Sequence, residues 1–414
     1  MTYSAVNSKR LVQSLTKQKA VLAILAMFLL MLFFDTKFYT AYNFLSILRD
    51  ASINVIIAFG VTLAVICGGC DLSVGSVMCM SGILAVQMIN GGTDMGLAIV
   101  LAVAAGAVVG FVNGFLVVHQ RTEPFIITLG VGMLLKGVSQ QLTDAHPVSC
   151  KNPLFMKIAN GKLFGSIPNL AVIMVVLGIL VYLLLRFTSY GRNCYAIGGD
   201  YDVAKYSGIN VIRTKWIAFI LSGAAAAIAG VLLSSKLNTG SSIYGDDTAL
   251  MVNCGVVIGG TSFSGGVGGV LQSFVGLMVL QFLTNCMNML GIAPYVQQVL
   301  QGTVIVAILW LDCFGIKRKK EAVCGRRGRR RRAPPSGPPA KGPEAPWNPH
   351  KRDMQKEGLR LRAFLRCTYA SGSRLHLPLA WGQGEIISPC GGPGATPPAS
   401  LRLRLSSTRA SFRV

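Results

Sequence analysis

Two cysteines in CxxC spacing are the first residues of the sequence that could support chemistry. Cys67 and Cys70 flank Gly68-Gly69, and Asp71 follows at once. Such a pair can bind a metal or exchange disulfides, but a thiolate zinc site needs two further ligands. Neither a second CxxC nor a nearby histidine supplies them. We therefore expect no metal site and no thiol chemistry here, and interpret both cysteines as small apolar residues.

The acid beside these cysteines, Asp71, has two interpretations. A carboxylate just before a helix can accept backbone N–H bonds and is stabilised by the positive helix end. At membrane depth an ionised acid costs about 2.5–3.5 kcal/mol by insertion scales, and such residues are usually functional. We favour the helix cap and keep a place on a transport pathway as the alternative.

The composition is that of a membrane protein, because 52% of the residues are hydrophobic and only 13% are charged. Soluble domains carry about 25% charged residues. A helix needs about 20 residues to cross the bilayer core. Ten apolar segments are candidate spans, of which the eighth is short: 20–38, 47–67, 72–90, 95–118, 124–142, 169–187, 215–235, 248–260, 267–290 and 294–312. The sequence therefore predicts an all-α, polytopic membrane protein of about ten transmembrane helices with Gly-rich helix breaks.

The positions of Lys and Arg predict the orientation of these spans. Ten crossings return the chain to its starting side, so both termini would be cytoplasmic. The N-terminal segment 1–19, residues 186–215 and the chain beyond Lys317 would face the cytoplasm. The loop 236–247 would lie outside, and so would the loop 143–168, although the latter carries three lysines.

Paired glycine-rich breaks point to a transport pathway. The segment GGTSFSGGVGG (259–269) shares the frame GG-x-x-x-S-x-G with GGCDLSVGS (68–76), which matches Ser264 with Ser73. An internal repeat and two independent glycine turns are alternative explanations of this match.

Polar residues of the breaks and of other spans are candidates for lining the pathway. They are Asp71, Ser73, Asn113, Thr128, Asn253, Ser264 and Asn285. Nearly all are uncharged, which suits a hydroxyl-rich neutral solute, although each could equally form a helix–helix hydrogen bond. Lys136 is the main charged exception, and would snorkel or form an ion pair.

The longest intracellular connection of the membrane portion is residues 186–216. It contains residues that typically begin and end a short helix. Gly198-Gly199-Asp200 would stop the chain and cap a helix from Tyr201 to Ser207, which Gly208 would end. A short exposed helix held between glycine turns suits docking of another protein, and an ordinary basic loop is the alternative. The chain contains no G-x-x-x-x-G-K-[ST] phosphate loop, so powered transport would need a partner ATPase or a coupled ion.

Six stretches occur in the order typical of one protein family and cover about residues 20–316. They are GGCDLSVGS, GFVNGFLV, EPFIITLGVGMLLKG, GRNCYAIGGDYDVAKYSGINV, GGTSFSGGVGG and VQQVLQGTVIVAIL. They resemble the permease subunit of ribose-type sugar importers of the ATP-binding-cassette (ABC) class, part of a wider set that includes branched-chain amino acid permeases. The resemblance implies a permease domain at 20–316 in the bacterial inner membrane, without catalytic residues or a cofactor. It also implies three partners: a second permease subunit, an ABC ATPase inside and a periplasmic sugar-binding protein outside.

The resemblance further implies that the segment 188–214 carries the coupling helix that inserts into the ATPase. Candidates for this contact are Ala196, Gly198, Gly199, Asp200, Ala204, Lys205 and Gly208. Family members commonly have GGI where Cys70 stands, Asn in place of Asp200, and Ala-Ala-Arg in place of Val203-Ala204-Lys205. The finer docking contacts are therefore expected to differ in this chain.

Beyond residue 316 the composition changes abruptly. The segment 317–414 holds 22 Lys and Arg against 5 Asp and Glu, and 12 of the 17 prolines. It cannot bury enough apolar area to fold, so we predict a disordered basic tail. The tail would bind membrane lipid, bind nucleic acid without sequence preference, or be an accidental extension from a coding frame read past its end. We favour the last explanation and assign the tail no function.

Three functions remain to be compared. The sequence favours a non-catalytic permease subunit that translocates a ribose-like monosaccharide and is powered by a separate ATPase. A stand-alone secondary transporter or channel for a small polar solute is the alternative, and predicts ion-dependent transport without ATP. A membrane-anchored lipid- or nucleic-acid-binding protein would act through residues 324–414 alone. An enzyme is least favoured, because the sequence holds no nucleophile–base or metal constellation.

Overall fold

Apolar helices make up most of the structure, a computed structural model that describes residues 36–120, 122–163 and 167–303 together with Leu29 and Val306. In chain order the helices are α1 (Ala41–Ile66), α2 (Val74–Asn90), α3 (Met95–His119), α4 (Pro124–Thr143), α5 (Pro153–Asn160), α6 (Asn169–Phe187), α7 (Ser189–Gly199), α8 (Tyr201–Tyr206), α9 (Val211–Leu237), α10 (Thr248–Ile258) and α11 (Val270–Met289). A 3-10 turn, Thr36–Tyr39, precedes α1, and residues 294–303 are also helical. The mostly helical prediction is confirmed.

Six described helices are long and apolar enough to cross a membrane: α1, α3, α4, α6, α9 and α11. Eight of the ten predicted spans each overlap one of the helices α1 to α11, and the predicted span 294–312 overlaps the helical residues 294–303. The predicted span 20–38 lies almost entirely outside the described residues, as does the end of 294–312, so the count of ten remains a prediction. The predicted terminal segments, 1–19 and 317–414, also lie outside the described residues.

Two predicted spans are shorter in the structure than a crossing requires. α2 has 17 residues and α10 has 11. At 1.5 Å per residue these lengths are about 25 Å and about 16 Å, against a bilayer core of about 30 Å. α10 cannot cross the membrane alone, which corrects the prediction of a span at 248–260. Irregular backbone precedes both helices, at 67–73 and at 241–247.

α9 lies against α1, α2 and α3 through small residues. A Cβ on Gly106 of α3 would overlap Ala227, and a Cβ on Gly230 would overlap the carbonyl oxygen of Met78 in α2. A Cβ on Gly60 of α1 would lie 2.9 Å from a backbone Cα of α9. Close backbone approach through small residues is the main source of helix association in lipid. The small residues of α9 therefore allow it to contact three other helices.

Short strands mark one end of the helices. β1 (Val148–Ser149) pairs antiparallel with β4 (Thr239–Gly240), and β2 (Lys162–Leu163) pairs antiparallel with β3 (Ile167–Pro168). The β1–β4 pair brings the two predicted outside loops to the same end, which we call the strand end. α9 runs about 40 Å from α8 to β4 at 1.5 Å per residue. α7 and α8 therefore lie at the opposite end, which we call the α7–α8 end.

Candidate functional site

The first break, residues 67–73, begins where a left-handed glycine ends α1. Gly68 has a φ of 74°, and its N–H donates to the carbonyl of Val65 at 2.9 Å. The N–H of Gly69 donates to the carbonyl of Ala64 at 2.8 Å. This pair of bonds is a Schellman motif, which favours glycine because the left-handed backbone strains other residues. The chain then continues without helix to Val74.

Asp71 lies fully buried in this break and accepts three hydrogen bonds through its carboxylate. Oδ1 accepts from the N–H of Ser73 at 3.0 Å and from its hydroxyl at 2.7 Å. Oδ2 accepts from the hydroxyl of Ser222 on α9 at 2.7 Å. The carboxylate therefore closes a short turn directly before α2. The N-cap residue of α2 is Ser73, and no side chain caps the helix by a hydrogen bond, so Asp71 does not cap α2 as the first interpretation predicted. Neither of the two ion pairs among the described residues includes Asp71.

Two asparagines reach the same break from other helices. Asn113 of α3 donates through Nδ2 to the Ser73 hydroxyl at 2.8 Å. Asn253 of α10 donates through Nδ2 to the backbone carbonyl of Asp71 at 2.9 Å. Both side chains are buried, and the Asn113 Oδ1 has no hydrogen-bond donor among the described residues.

Thr128 of α4 completes the group. Its hydroxyl accepts from the N–H of Leu72 at 3.1 Å, and donates within α4 to the Pro124 carbonyl at 2.9 Å. Five of the seven predicted pathway residues thus lie together, joined by Ser222, which the sequence analysis missed. We call this group the Asp71 network: Asp71, Ser73, Asn113, Thr128, Ser222 and Asn253.

The Asp71 network lies near the middle of a membrane-spanning helix. Ser222 stands 11 residues after Val211 and 15 residues before Leu237, the two ends of α9. At 1.5 Å per residue it is about 16 Å from one end and about 22 Å from the other. Asp71 therefore closes the turn before α2 and is also a carboxylate at membrane depth, so a place on a transport pathway stays a prediction for this residue.

The starts of α2 and α10 meet beside the Asp71 network. A Cβ on Gly75 would overlap the carbonyl oxygen of Gly245, and a Cβ on Gly245 would overlap the carbonyl oxygen of Gly75. The segment 241–247 is therefore the interruption that faces the first break at this depth, and the sequence analysis did not identify it. Interrupted helices that meet at mid-depth are typical of binding sites in transporters.

The second break, residues 259–269, lies at the α7–α8 end instead. The N–H of Gly266 donates to the carbonyl of Ile66, the last residue of α1, at 2.9 Å. A Cβ on Gly198 would overlap both of these backbone groups, and a Cβ on Gly265 would lie 2.8 Å from the Gly198 Cα. We call this backbone contact of Ile66, Gly198, Gly265 and Gly266 the glycine junction.

A tyrosine of α7 also contacts the second break, next to the glycine junction. The Tyr195 hydroxyl donates to the carbonyl of Gly268 at 2.8 Å. Burial raises the pKa of the Tyr195 phenol, so the hydroxyl keeps its proton and remains a donor near neutral pH. The sequence analysis did not identify this contact, because a tyrosine in a basic segment carries no signal of its partner.

The glycine frame shared by the two breaks does not match their geometry. Gly260, with a φ of 107°, repeats the helix-end hydrogen bonds of Gly68, whereas the frame aligns Gly68 with Gly259. Ser73 is buried directly before α2, and Ser264 is exposed in the loop before α11. The structure therefore places these two serines in different environments.

Ser264 and Asn285 lie apart from the Asp71 network. The N–H of Ser264 donates to the Ser262 hydroxyl at 3.3 Å. Asn285 of α11 exchanges two hydrogen bonds with Asn43 of α1, at 3.0 and 3.2 Å. Asn285 thus joins two helices, which is the alternative considered for every polar residue of the spans.

The segment between α6 and α9 forms two helices where one was predicted. Asp200 caps α8, because its Oδ1 accepts from the N–H groups of Asp202 and Val203, both at 3.0 Å. Gly208, with a φ of 82°, ends this helix region. The predicted helix punctuation is thus observed. The preceding helix, α7, was not predicted.

The predicted coupling residues fall into three environments. Ala196, Gly199, Asp200, Lys205 and Gly208 are exposed, Gly198 lies in the glycine junction, and Ala204 is buried. Ala204 packs with Ile197 and Val211, so it anchors α8 and does not present a contact surface. Val203 and Tyr206 are exposed apolar residues of α8 that the sequence analysis missed as contact candidates.

Lys136 and Cys70 also have defined contacts in the structure. Lys136 forms an ion pair with Asp246 at 2.7 Å, one of its two predicted arrangements. Cys70 donates through Sγ to the Asn253 Oδ1 at 3.2 Å. Within the part of the chain that the structure describes, the cysteines are free thiols and no group of three His, Cys, Asp or Glu could hold a metal ion.

Known proteins match most of the chain. Residues 43–309 match the family described as branched-chain amino acid transport system / permease component. The chain is 36% identical over 290 residues to the ribose import permease protein RbsC of Bacillus subtilis (strain 168), which covers 70% of this chain and 88% of that relative. It is 33% identical over 322 residues to RbsC of Escherichia coli (strain K12), with 75% and 99% covered. No solved structure matches the chain.

A relative named for another sugar shows similar identity. The L-arabinose transport system permease protein AraH of Escherichia coli (strain K12) is 30% identical over 304 residues, with 73% of this chain and 92% of that relative covered. The apolar helices and these relatives indicate an integral membrane protein of transmembrane transport. The chain belongs to the permease family of branched-chain amino acid transport systems, and within it resembles sugar import permeases.

Proposed function

We propose that this chain is the membrane-spanning permease subunit of an ABC importer that translocates a simple, ribose-like monosaccharide across the bacterial inner membrane. The Asp71 network is the observation that carries the proposal. It gathers polar side chains from α3, α4, α9 and α10 around a helix break at mid-depth. The names of the relatives support a sugar as the solute.

The chemistry of the network suits a hydroxyl-rich neutral solute. Sugar hydroxyls both donate and accept hydrogen bonds, and the network offers a carboxylate, three hydroxyls and two amides. The buried Asn113 Oδ1 lacks a donor among the described residues. An unsatisfied buried acceptor costs about 1–3 kcal/mol, so a donor such as a solute hydroxyl would be favoured there.

We assign the α7–α8 end to the cytoplasm, with both termini on that side. The strand end would then face the periplasm and receive sugar from a binding protein. Two observations support this orientation. The Lys and Arg clusters favour it, and the loops 143–168 and 236–247 meet at one end as the orientation requires.

The chain carries no phosphate loop of its own, so a separate ATPase subunit would supply the energy. We expect this subunit to bind at α8. Val203 and Tyr206 are exposed there by 61% and 87%. Exposed apolar residues beside polar ones are typical of protein contact sites. A second permease copy and membrane lipid would cover the exposed apolar faces of α3, α4 and α6.

The test is sugar uptake into reconstituted vesicles. The full chain and a chain truncated after Val323 would each be combined with the ATPase subunit and binding protein encoded beside it, and each partner would be withheld in turn. We expect ribose uptake that requires both partners and ATP and that survives truncation. Ion-driven uptake without the ATPase would instead establish a secondary transporter, and activity of residues 324–414 alone would establish a tail-based function.

A further inference from the structure

One ion pair at membrane depth stays open to its surroundings. The Lys136 Nζ lies 2.7 Å from the Asp246 Oδ1 and joins α4 to the segment 241–247. The two side chains remain exposed by 41% and 45%. The pair is therefore neither sealed in the protein nor placed at a helix end.

The depth of Lys136 follows from the contacts between α2 and α4, which run side by side. A Cβ on Gly132 would lie 3.4 Å from the Ser73 Cα. Further along, the Ser139 hydroxyl donates to the Met80 sulfur at 3.4 Å. Lys136 lies between these two contacts, and therefore just beyond the Asp71 network towards the strand end.

The depth of Asp246 follows from its neighbour Gly245, which contacts Gly75. Gly75 lies 15 residues before Asn90, and Asn90 donates to the carbonyl of Ser149 at the strand end. At 1.5 Å per residue the Gly75–Gly245 contact is about 22 Å inside that end. Lys136 lies seven residues, about 10 Å, before the end of α4 at Thr143. The ion pair thus lies within the membrane-spanning part, on the strand-end side of the Asp71 network.

Two exposed charges at this depth are unfavourable against lipid. Each costs about 2.5–3.5 kcal/mol at the centre of a bilayer by insertion scales. Charged groups at membrane depth therefore usually pair with one another and face the bundle interior or a water-filled route. A third polar group lies close by, since the Gln298 Nε2 donates to the Asp247 Oδ2 at 3.2 Å. The segment 241–247 thus forms exposed polar contacts with both α4 and 294–303.

We propose that Lys136 and Asp246 line the solute route and bind hydroxyl groups of the passing sugar. The carboxylate would accept from one hydroxyl and the ammonium would donate to another, so the ion pair separates as the sugar enters and closes after it. This inference rests on the proposed function. It adds a specificity site between the strand end and the Asp71 network, formed by residues that change the preference among sugars.

A second ion pair provides a matched control. The Lys236 Nζ lies 2.7 Å from the Asp50 Oδ1, the same distance, but at the strand end and between α9 and α1. Neutralising it removes an equivalent interaction away from the proposed route. A purely structural role of Lys136 and Asp246 would make the two pairs behave alike.

The experiment measures initial uptake of ribose and of 2-deoxyribose by the complete complex in vesicles. The same binding protein is used throughout, so differences between variants report the permease. We expect Lys136→Met and Asp246→Asn to change the ribose to 2-deoxyribose ratio by about tenfold or more, the effect of one charged hydrogen bond. Lys236→Met and Asp50→Asn should leave the ratio unchanged. If a neutral variant shows no uptake, Lys136→Arg and Asp246→Glu keep the charges but move them, and should also change the ratio.

The charge exchange Lys136→Asp with Asp246→Lys separates the two roles. A structural ion pair predicts that the exchange restores both the wild-type rate and the wild-type ratio. A solute contact predicts an altered ratio, because donor and acceptor have exchanged places. Wild-type complex without ATP-dependent uptake would overturn the proposed function itself. Wild-type uptake with unchanged ratios in every variant would overturn this inference alone.

Discussion

The first break, residues 67–73, and the second break, residues 259–269, both follow an apolar helix that ends at a left-handed glycine. Their surroundings differ. The first break buries Asp71 among hydrogen bonds from four helices near mid-depth. The second break contacts backbone at the end of α1 and of α7, and keeps Ser264 exposed.

Similar glycine motifs therefore have different structural roles in this molecule. The first break is rich in polar side chains, so it is suited to binding a solute. The second break has mainly backbone contacts with α7, so it is suited to transmitting movement from the α7–α8 end. Two kinds of substitution test this comparison of the two breaks. One removes side-chain hydrogen bonds, and the other adds a side chain at a close backbone contact.

Gly198→Ala should have the largest effect. The added Cβ would overlap the carbonyl of Ile66 and the N–H of Gly266, which are backbone groups that no rotamer change can move. Overpacking of this kind costs about 1–3 kcal/mol, so we expect ATP-dependent uptake to fall by about tenfold or more. Gly199→Ala is the matched control, because its Cβ would meet no atom within 4 Å. Equal loss in both variants would contradict the glycine junction.

Ser73→Ala should have the next largest effect, and Ser264→Ala almost none. The Ser73 hydroxyl donates to Asp71 and accepts from Asn113, both in the buried network. Loss of these bonds should lower the stability in membrane or detergent by about 1–2 kcal/mol, measured as a lower apparent Tm. Uptake should fall several-fold as well. If both serine variants lower the apparent Tm and the uptake by the same amount, the shared sequence frame and not burial determines the role of these serines.

Tyr195→Phe should have a smaller effect that appears in coupling. The variant keeps the ring and removes the bond to the Gly268 carbonyl, which is worth about 1 kcal/mol. We expect more ATP hydrolysed per sugar transported, by about twofold, with uptake largely retained. Tyr182→Phe is the control, since Tyr182 is an exposed residue of α6, away from the proposed ATPase-binding helix. An unchanged ratio of ATP to sugar in Tyr195→Phe would show that this bond does not transmit movement.

Cys70→Ser should have the smallest effect. The serine hydroxyl can still donate to the Asn253 Oδ1, as the thiol does in the structure. We expect uptake and apparent Tm to match those of the unchanged chain, with or without reductant. If Cys70→Ser instead loses uptake, the thiol of Cys70 is required, and Cys67 and Cys70 would again be interpreted as a functional pair.

Much of the fold could be predicted from the sequence because apolar length determines which helices can cross a membrane. Glycine and cap residues also act locally, so Asp200 and Gly208 were placed correctly around α8. α7 was missed because its sequence lacks the apolar periodicity that marks the spans. α10 starts at Thr248 as predicted and ends two residues earlier than predicted, because Gly259 and Gly260 form its C-terminal turn.

The Asp71 network could be predicted in part because polar residues stand out in apolar segments. Ser222 could not be found, since a serine among alanines and glycines of α9 looks like any small packing residue. The contact of Gly245 with Gly75 also carries no local signal, because it depends on how distant segments fold together. For the same reason, the frame shared by Ser73 and Ser264 did not predict that only Ser73 is buried.

α10 has a mechanical consequence that follows from its length. It begins beside Gly245, at the contact with Gly75, and leads into the second break, which reaches the glycine junction. An 11-residue helix is a stiff rod of about 16 Å, because its backbone bonds allow little compression. We expect a displacement at the α7–α8 end to move α10 as one body and so to reach the Gly75–Gly245 contact beside Asp71.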